Sequence, residues 1–402
     1  MLFNLNEFLI SISFALDFVE MDIFGVVTNH SKRVAYISMR IAEKLGLSQE
    51  EIFDIISLSI LHDNGASHKR LHNSLHKSKE DLLSIESQKE HGIKGEENIK
   101  EYPFLTNVDN VIKYHHENYD GTGFFGIIGE EIPIMSQIIK LADTVELNCN
   151  LNEMYIEDKG KILSFLRNNE NTIFSSKLVY AFTEISQIPA FWLDLRDDFI
   201  NFFFQRNMPK FSIQLPLCKI HNITKIFSNI VDSKSRFTQL HSTELSEKAR
   251  IMGRFYNKPI DEIYKIMIAA DLHDIGKLAI SNDILDKPTK LNDREFDIIK
   301  QHSYFTRLSL QQIHGFEDIT EWASNHHEKL NGKGYPLGKN RDELDFNSRL
   351  IACLDVYQAL MEERPYRKAM TQYKATKILR EMIKDGSLDE KITNDIIVVF
   401  ST

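Results

Sequence analysis

The sequence predicts an all-α protein: two duplicated helical bundles joined by an aromatic-rich connector. Three observations carry this expectation. Only 17 Gly and 9 Pro punctuate 402 residues. Long stretches keep the 3.6-residue apolar period of a helix, while strand signals are scarce. And a set of histidines and acids recurs half a chain apart.

Composition narrows the class. With 42% apolar and 26% charged residues, the chain has the profile of a soluble globular protein and not of collagen-like, disordered or disulfide-scaffold sequences. A net charge of -10, from 58 acids against 48 bases, argues against an extended DNA or RNA footprint. A small anionic ligand stays compatible, since a few local Arg and Lys suffice. Cys149, Cys218 and Cys353 lie far apart and form no CxxC pair, which predicts a reduced, cytoplasmic compartment. The apolar N-terminus has no basic residue before Lys32 and is broken by Glu7, Asp17, Glu20 and Asp22. It therefore reads as neither a signal peptide nor a membrane span.

At this length two domains are expected, and the repeat divides them as copy one over 1–187, a connector over 188–218 and copy two over 219–402. His30, His62, His91 and His115 recur 211 positions later as His241, His273, His302 and His326. His116 recurs as His327, and Asp63 as Asp274, at the same interval. Asp143 recurs as Asp355 at an offset of 212, a one-residue slip after a glycine loop. Ile52, Ile55 and Ile56 match Ile263, Ile266 and Met267. Their i, i+3, i+4 spacing marks one helical face, which Asp63 and Asp274 continue at its C-terminal end. Ser48 and Glu51 read as a capping box opening the first of these helices. Pro259, in the place of Ser48, suits a first-turn proline. Phe165–Phe182 echoes Met382–Phe400 at the end of each copy. The connector holds Phe191-Trp192, Phe202-Phe203-Phe204 and Pro189, Pro209 and Pro216. So much aromatic surface predicts packing between the copies, since a flexible tether would be polar.

Imidazoles and carboxylates at fixed spacing are what a pair of divalent ions requires. Two ions per site are expected, iron or manganese first, with zinc, nickel or magnesium as alternatives; the lack of cysteine ligands argues against structural zinc. Adjacent His and Asp at a helix end let one carboxylate bridge two ions. Paired ions about 3.5–4 Å apart suit phosphoester hydrolysis. One His-Asp dipeptide would more often be a capped helix end; seven positions repeated in register are not explained that way. His68, His72 and His76 also lie four apart, but copy two has Ala279, Asp283 and Lys287 there, and a solvated segment is the reading.

His273-Asp274-Ile275-Gly276-Lys277, His326-His327-Glu328 and Asn331-Gly332-Lys333-Gly334-Tyr335-Pro336 resemble the HD-GYP family of cyclic di-GMP phosphodiesterases. Copy one resembles the broader HD fold with a degraded loop. The resemblance implies tandem HD-type bundles and a bacterial second-messenger hydrolase acting on cyclic di-GMP to give linear pGpG and/or GMP. It implies one metal held by His241, His273, Asp274 and Asp355, and another by Asp274, His302, His326 and His327. Asp274 and Lys277 would be catalytic, and Lys277, Gly334, Tyr335, Arg364 and Arg367 would bind substrate. His30, His62, Asp63, His91, His115, His116 and Asp143 would form a second, N-terminal metal site in a regulatory domain. Four departures stand out. Phe237 and Val26 occupy the place of a glutamate used for a third metal in some members. Asn331 replaces the loop aspartate. Copy one has Ala66 for the lysine and Phe124-Phe125 for Tyr-Pro. It also has no Arg-Pro-Tyr-Arg segment after Asp143.

The expected partner is a cyclic dinucleotide, without nucleic acid or membrane; other signalling proteins or a second copy are open. Two alternatives stand beside cyclic di-GMP: another cyclic dinucleotide or nucleotide as substrate, or a metal- and nucleotide-binding signalling protein without turnover.

Overall fold

The computed structural model of the protein describes residues 1–13, 29–65, 85–149, 156–233, 241–363 and 367–401, and nearly all its regular structure is helical. In the N-terminal unit the helix His30–Leu45 ends at Gly46, whose φ of 76° is the left-handed cap that glycine adopts without strain. The helix Gln49–Leu61 then opens with the Ser48–Glu51 capping box and packs on its predecessor, burying Phe53, Ile55 and Ile56. The C-terminal unit repeats this pair as His241–Phe255 and Ile260–Leu272. Pro259 stands just before the first helical residue and not within the first turn; its carbonyl accepts from Ile263 N at 3.0 Å. The C-terminal unit closes with the helices Gln372–Lys384 and Glu390–Val399; their counterparts Ile156–Asn168 and Ser176–Ser186 are followed in the N-terminal unit by the short helices Pro189–Asp194 and Asp197–Asn207.

The chain does not divide at 187 and 218. Residues 16–211 form one compact unit, while 1–15 join 212–402 in the other. The cause is a two-stranded antiparallel sheet, Leu2–Asn4 against Ser212–Gln214, in which Phe3 pairs with Ile213. Met1 N adds a 2.7 Å bond to Leu215 O. Behind it Phe8 lies edge-on to Phe227 at 5.4 Å and to Phe316 at 6.3 Å. The connector aromatics, for their part, pack inside the N-terminal unit. Tyr36 meets Phe191 at 5.4 Å and Phe203 at 4.7 Å, and Phe182 meets Trp192 at 6.2 Å. Among the described residues no helix is long and apolar enough to cross a membrane.

The first residues are therefore core of the C-terminal unit. Phe8 is fully buried, so Phe8→Ala should destabilise that unit by about 3–5 kcal/mol, the usual range for a buried Phe truncation. Denaturant unfolding of the variant checks this; an unchanged midpoint would show that residues 1–13 only decorate the surface.

Candidate metal centre

Helix ends and one glycine place the ligands. His273 and Asp274 follow directly on the last turn of Ile260–Leu272. Gly276 then runs against the helix Asp293–Leu310, where a Cβ would lie 2.0 Å from the His302 carbonyl oxygen. Gly65 does the same in the N-terminal unit, 2.3 Å from the His91 carbonyl oxygen. Any larger residue would push the helix that carries the third histidine away from the site. His241 opens its helix, which Asp232 anchors by accepting from Ser242 N at 3.0 Å and Ser242 Oγ at 2.7 Å.

The imidazoles are oriented from outside. Nδ1 lies 2.7 Å from Ala270 O in His273, 2.6 Å from Ile299 O in His302 and 2.6 Å from Ala323 O in His326. A carbonyl can only accept, so Nδ1 carries the proton and Nε2 faces inward as a bare acceptor. Asp274 lies among them. Its Oδ2 is 3.1 Å from His273 Nε2 and 4.0 Å from His241 Nε2. Its Oδ1 is 3.4 Å from His302 Nε2 and 3.8 Å from His326 Nε2. One carboxylate thus turns an oxygen to each of two groups of imidazoles. Asp355 joins the first group, with Oδ1 3.2 Å from His241 Nε2, and its Oδ2 is 3.8 Å from His327 Nδ1. The ligand atoms of His241, His273 and Asp355 lie within 4.8 Å of one another, as do those of His302, His326 and His327. Asp274 Oδ1 is buried without a hydrogen bond, a costly state that a cation would relieve.

Charge follows the same plan. Burial lowers His302 to about 3 and His327 to about 4, and with the neighbouring imidazoles it holds His326 well below the ordinary range. All three are neutral at pH 7, as metal ligation requires. Asp274 is kept far below the carboxylate range by His273 and Lys277, against the effect of burial. Lys277 Nζ donates directly to Asp274 Oδ2. His241 is the exception. Burial opposes its charge, yet hydrogen bonds to Asp355 and Glu362 raise it to about 9.

The N-terminal unit brings all seven of its counterparts together. Asp63 Oδ1 is 3.0 Å from His91 Nε2 and Oδ2 is 3.5 Å from His62 Nε2. Asp143 Oδ1 is 3.4 Å from His30 Nε2. Ligand atoms of His30, His62 and Asp63 cluster within 4.8 Å, and so do those of Asp63, His91, His115 and His116, with Asp63 common to both groups. His62 Nε2 and His115 Nε2 are buried without a hydrogen bond. The donor sets of both units therefore fit a pair of divalent ions.

The glycine loops are stapled alike. Glu328 accepts from Leu337 N at 2.6 Å and Lys339 N at 2.9 Å; Glu117 accepts from Phe125 N at 2.9 Å and Ile127 N at 3.1 Å. By these bonds Phe125 stands in the place of Leu337, so Pro336 itself is the one-residue slip and only Phe124 replaces Tyr335. At Gly334 a Cβ would sit 2.4 Å from Glu328 Cα, so no other residue fits. The Tyr335 ring packs on His327 at 4.9 Å. Asn331 accepts from Lys333 N at 3.1 Å and donates Nδ2 to Asp385 O at 3.0 Å; the second bond is one a carboxylate could not make. Arg367 donates to Leu360 O at 3.0 Å and to Ala359 O at 2.5 Å, closing the end of the helix Phe346–Met361. Arg364, Ala66, Val26, Phe237 and His68, His72 and His76 lie outside the described residues.

A family pattern described as HD domain matches residues 225–392, and another of the same description matches 27–148. A 3'3'-cGAMP-specific phosphodiesterase of Vibrio cholerae is 31% identical over 98% of this chain and 91% of its own length. The chain belongs to the HD-GYP family. A second 3'3'-cGAMP-specific phosphodiesterase of Vibrio cholerae is 29% identical over 94% of this chain and 91% of that protein. A cyclic di-GMP phosphodiesterase of Pseudomonas aeruginosa is 29% identical but matches 40% of this chain and 38% of its own. The crystal structure of a cyclic GMP-AMP specific phosphodiesterase of Vibrio cholerae superposes with a TM-score of 0.69 and 25% identity, covering 100% of this chain and 98% of that one.

One supporting residue escapes the repeat. In the N-terminal unit Glu146 Oε2 holds His30 Nδ1 at 2.5 Å, while Arg33 donates Nε to Glu146 Oε1 at 2.9 Å. At the matching positions the C-terminal unit has Gln358 and Glu244. There Gln358 donates to Glu244 at 2.7 Å and to Glu362 at 2.5 Å, and Glu362 Oε2 holds His241 Nδ1 at 2.9 Å. The carboxylate has moved one helical turn along, so a register search misses it; allowing a slip of four residues finds it.

Because His241 titrates near 9 in the free site, it is protonated at pH 7.5 and must lose that proton to bind a cation. Manganese added to metal-free protein at pH 7.5 should therefore acidify a weakly buffered solution. Glu362→Gln should cut the protons released by up to about one per chain, since it removes one of the two carboxylates that hold the charge. Equal release by parent and variant would refute this role for Glu362.

Proposed function

We propose that the C-terminal unit is a metal-dependent hydrolase of 3',5'-linked cyclic dinucleotides, opening the ring to a linear product. The observation that carries this reading is Asp274, whose two oxygens face separate sets of imidazoles. His241, His273, Asp274 and Asp355 would hold one ion and Asp274, His302, His326 and His327 the other. When bound, the ions supply Lewis acidity that activates water and neutralises the phosphoryl oxygens. Asp274 would position both. Lys277, now on Asp274, would be freed once that oxygen ligates, and its ammonium would meet the scissile phosphate. Tyr335 and Gly334 would shape the rim beside His327.

Two substrates compete. Relatives matched over both halves are named for 3'3'-cGAMP, whereas those named for cyclic di-GMP match less than half of the chain. The duplication is therefore associated with 3'3'-cGAMP, which we take as the substrate; cyclic di-GMP is the second reading, supported by the His-Asp-Ile-Gly-Lys and Gly-Tyr-Pro segments of the C-terminal unit. In this account the N-terminal unit holds metal without turnover, because Ala66 stands where Lys277 does and no Arg-Pro-Tyr-Arg segment follows Asp143.

Manganese-loaded protein given each dinucleotide in turn should hydrolyse 3'3'-cGAMP faster. His273→Ala/Asp274→Ala should lower turnover at least about 10³-fold, since both ions and their charge are lost, and His62→Ala/Asp63→Ala should keep most of it. The reverse pattern would put the chemistry in the N-terminal unit.

A further inference from the structure

A charge cluster ties the loop that carries Gly334 and Tyr335 to the helices that place the histidines. Asn331 and Asn340 pair across the neck of this loop, and Lys339 lies beside that pair. Lys339 N donates to Glu328 Oε2 at 2.9 Å, and its ammonium donates to Glu321 Oε2 at 2.5 Å. Glu321 sits on the helix Glu317–Ser324, which leads through Asn325 into His326 and His327. Arg307, on the helix of His302, donates to both oxygens of the same carboxylate, at 2.6 and 2.9 Å. Asn325 is buried and completes the cluster. It accepts from Arg307 at 3.2 Å and donates to Glu321 at 3.1 Å and to Ser348 Oγ at 3.2 Å. The bonds from Arg307 lower Glu321 to about 2, so it is ionised at any working pH. One carboxylate thus joins the His302 helix, the helix before His326 and the loop.

The N-terminal unit builds this region differently. At offsets of 211 and, past the glycine loop, 212, it has Glu96, Asn110, Tyr114 and Ile127 for Arg307, Glu321, Asn325 and Lys339. Glu96 accepts from the backbone N–H groups of Asn110, Ile112 and Lys113, at 2.6, 3.0 and 3.1 Å. These bonds hold the His91 helix to the segment before His115, but the apolar Ile127 cannot extend the tie to the loop. Both units staple their loops to the glutamate after the paired histidines; only the C-terminal unit adds this second anchor.

We infer that Glu321 is a positioning residue for the substrate, fixing the Tyr335 loop over the histidines of the second ion. The inference rests on the proposed hydrolysis by this unit. The Tyr335 ring lies 4.9 Å from that of His327 and 6.4 Å from that of His302. A shift of the loop therefore moves the rim against which a dinucleotide would rest, relative to the ion that those histidines would hold. Half-exposed ion pairs contribute little to folding, so stability does not account for a cluster replaced as a set between the two copies. Glu321 acts through Lys339 and Arg307, and displacements of about 1 Å can cost up to about 10²-fold.

The test uses the manganese-loaded full chain with 3'3'-cGAMP, or with cyclic di-GMP if the parent prefers it. Glu321→Gln keeps the shape and removes the charge. It should raise KM about tenfold, with kcat within about threefold and manganese content unchanged. Lys339→Met should do the same, and Glu321→Gln/Lys339→Met should be no worse than either, since both cut one tie. In metal-free protein, amide exchange over residues 328–340 should speed at least about threefold in Glu321→Gln and stay unchanged elsewhere in the unit. An unchanged KM in Glu321→Gln, or additive effects in the double variant, overturns the inference. Loss of manganese or a lowered unfolding midpoint that accounts for the change would make the cluster structural, and overturns it too. A parent that hydrolyses neither dinucleotide overturns the proposed function and the inference with it, a result seen before any variant is made.

Discussion

A buried carboxylate with an oxygen turned to each of two imidazole groups constrains everything around it. Asp274 can face both only if its helix ends at Leu272 and the chain then presses against the helix carrying His302, which is why Gly276 is glycine. The outer carbonyls must take the Nδ1 protons so that the Nε2 atoms point inward. Neutral imidazoles follow from burial, and the ionised carboxylate follows from the cations beside it. Asp63 and Gly65 impose the same geometry on the N-terminal unit.

Much of this is legible in the sequence because ligation fixes residue type and spacing together. A repeat of 211 positions through His, Asp and Gly leaves little freedom for another reading. The helix Gln49–Leu61 and its capping box follow equally well, since both depend on contacts within a few residues.

What is not legible depends on contacts between distant or shifted positions. Residues 1–13 read as the start of copy one, yet Phe3 and Phe8 find their partners in Phe316 and Phe227. No local pattern announces a pairing across more than two hundred residues. The connector aromatics read as a filler between copies and pack on Tyr36 instead. Glu362 is displaced by a helical turn from its counterpart Glu146, yet each holds Nδ1 of the first histidine of its unit. In each case the chemistry is kept while the position changes, which register alone cannot detect.

The account turns on two ions sharing Asp274. Electron paramagnetic resonance of manganese-loaded protein carrying His62→Ala/Asp63→Ala, so that only the C-terminal site is filled, addresses it most directly. A multiline spectrum of a magnetically coupled pair, lost on adding Asp274→Ala, is the predicted result. A six-line spectrum of isolated manganese, insensitive to Asp274→Ala, would contradict the shared-carboxylate centre.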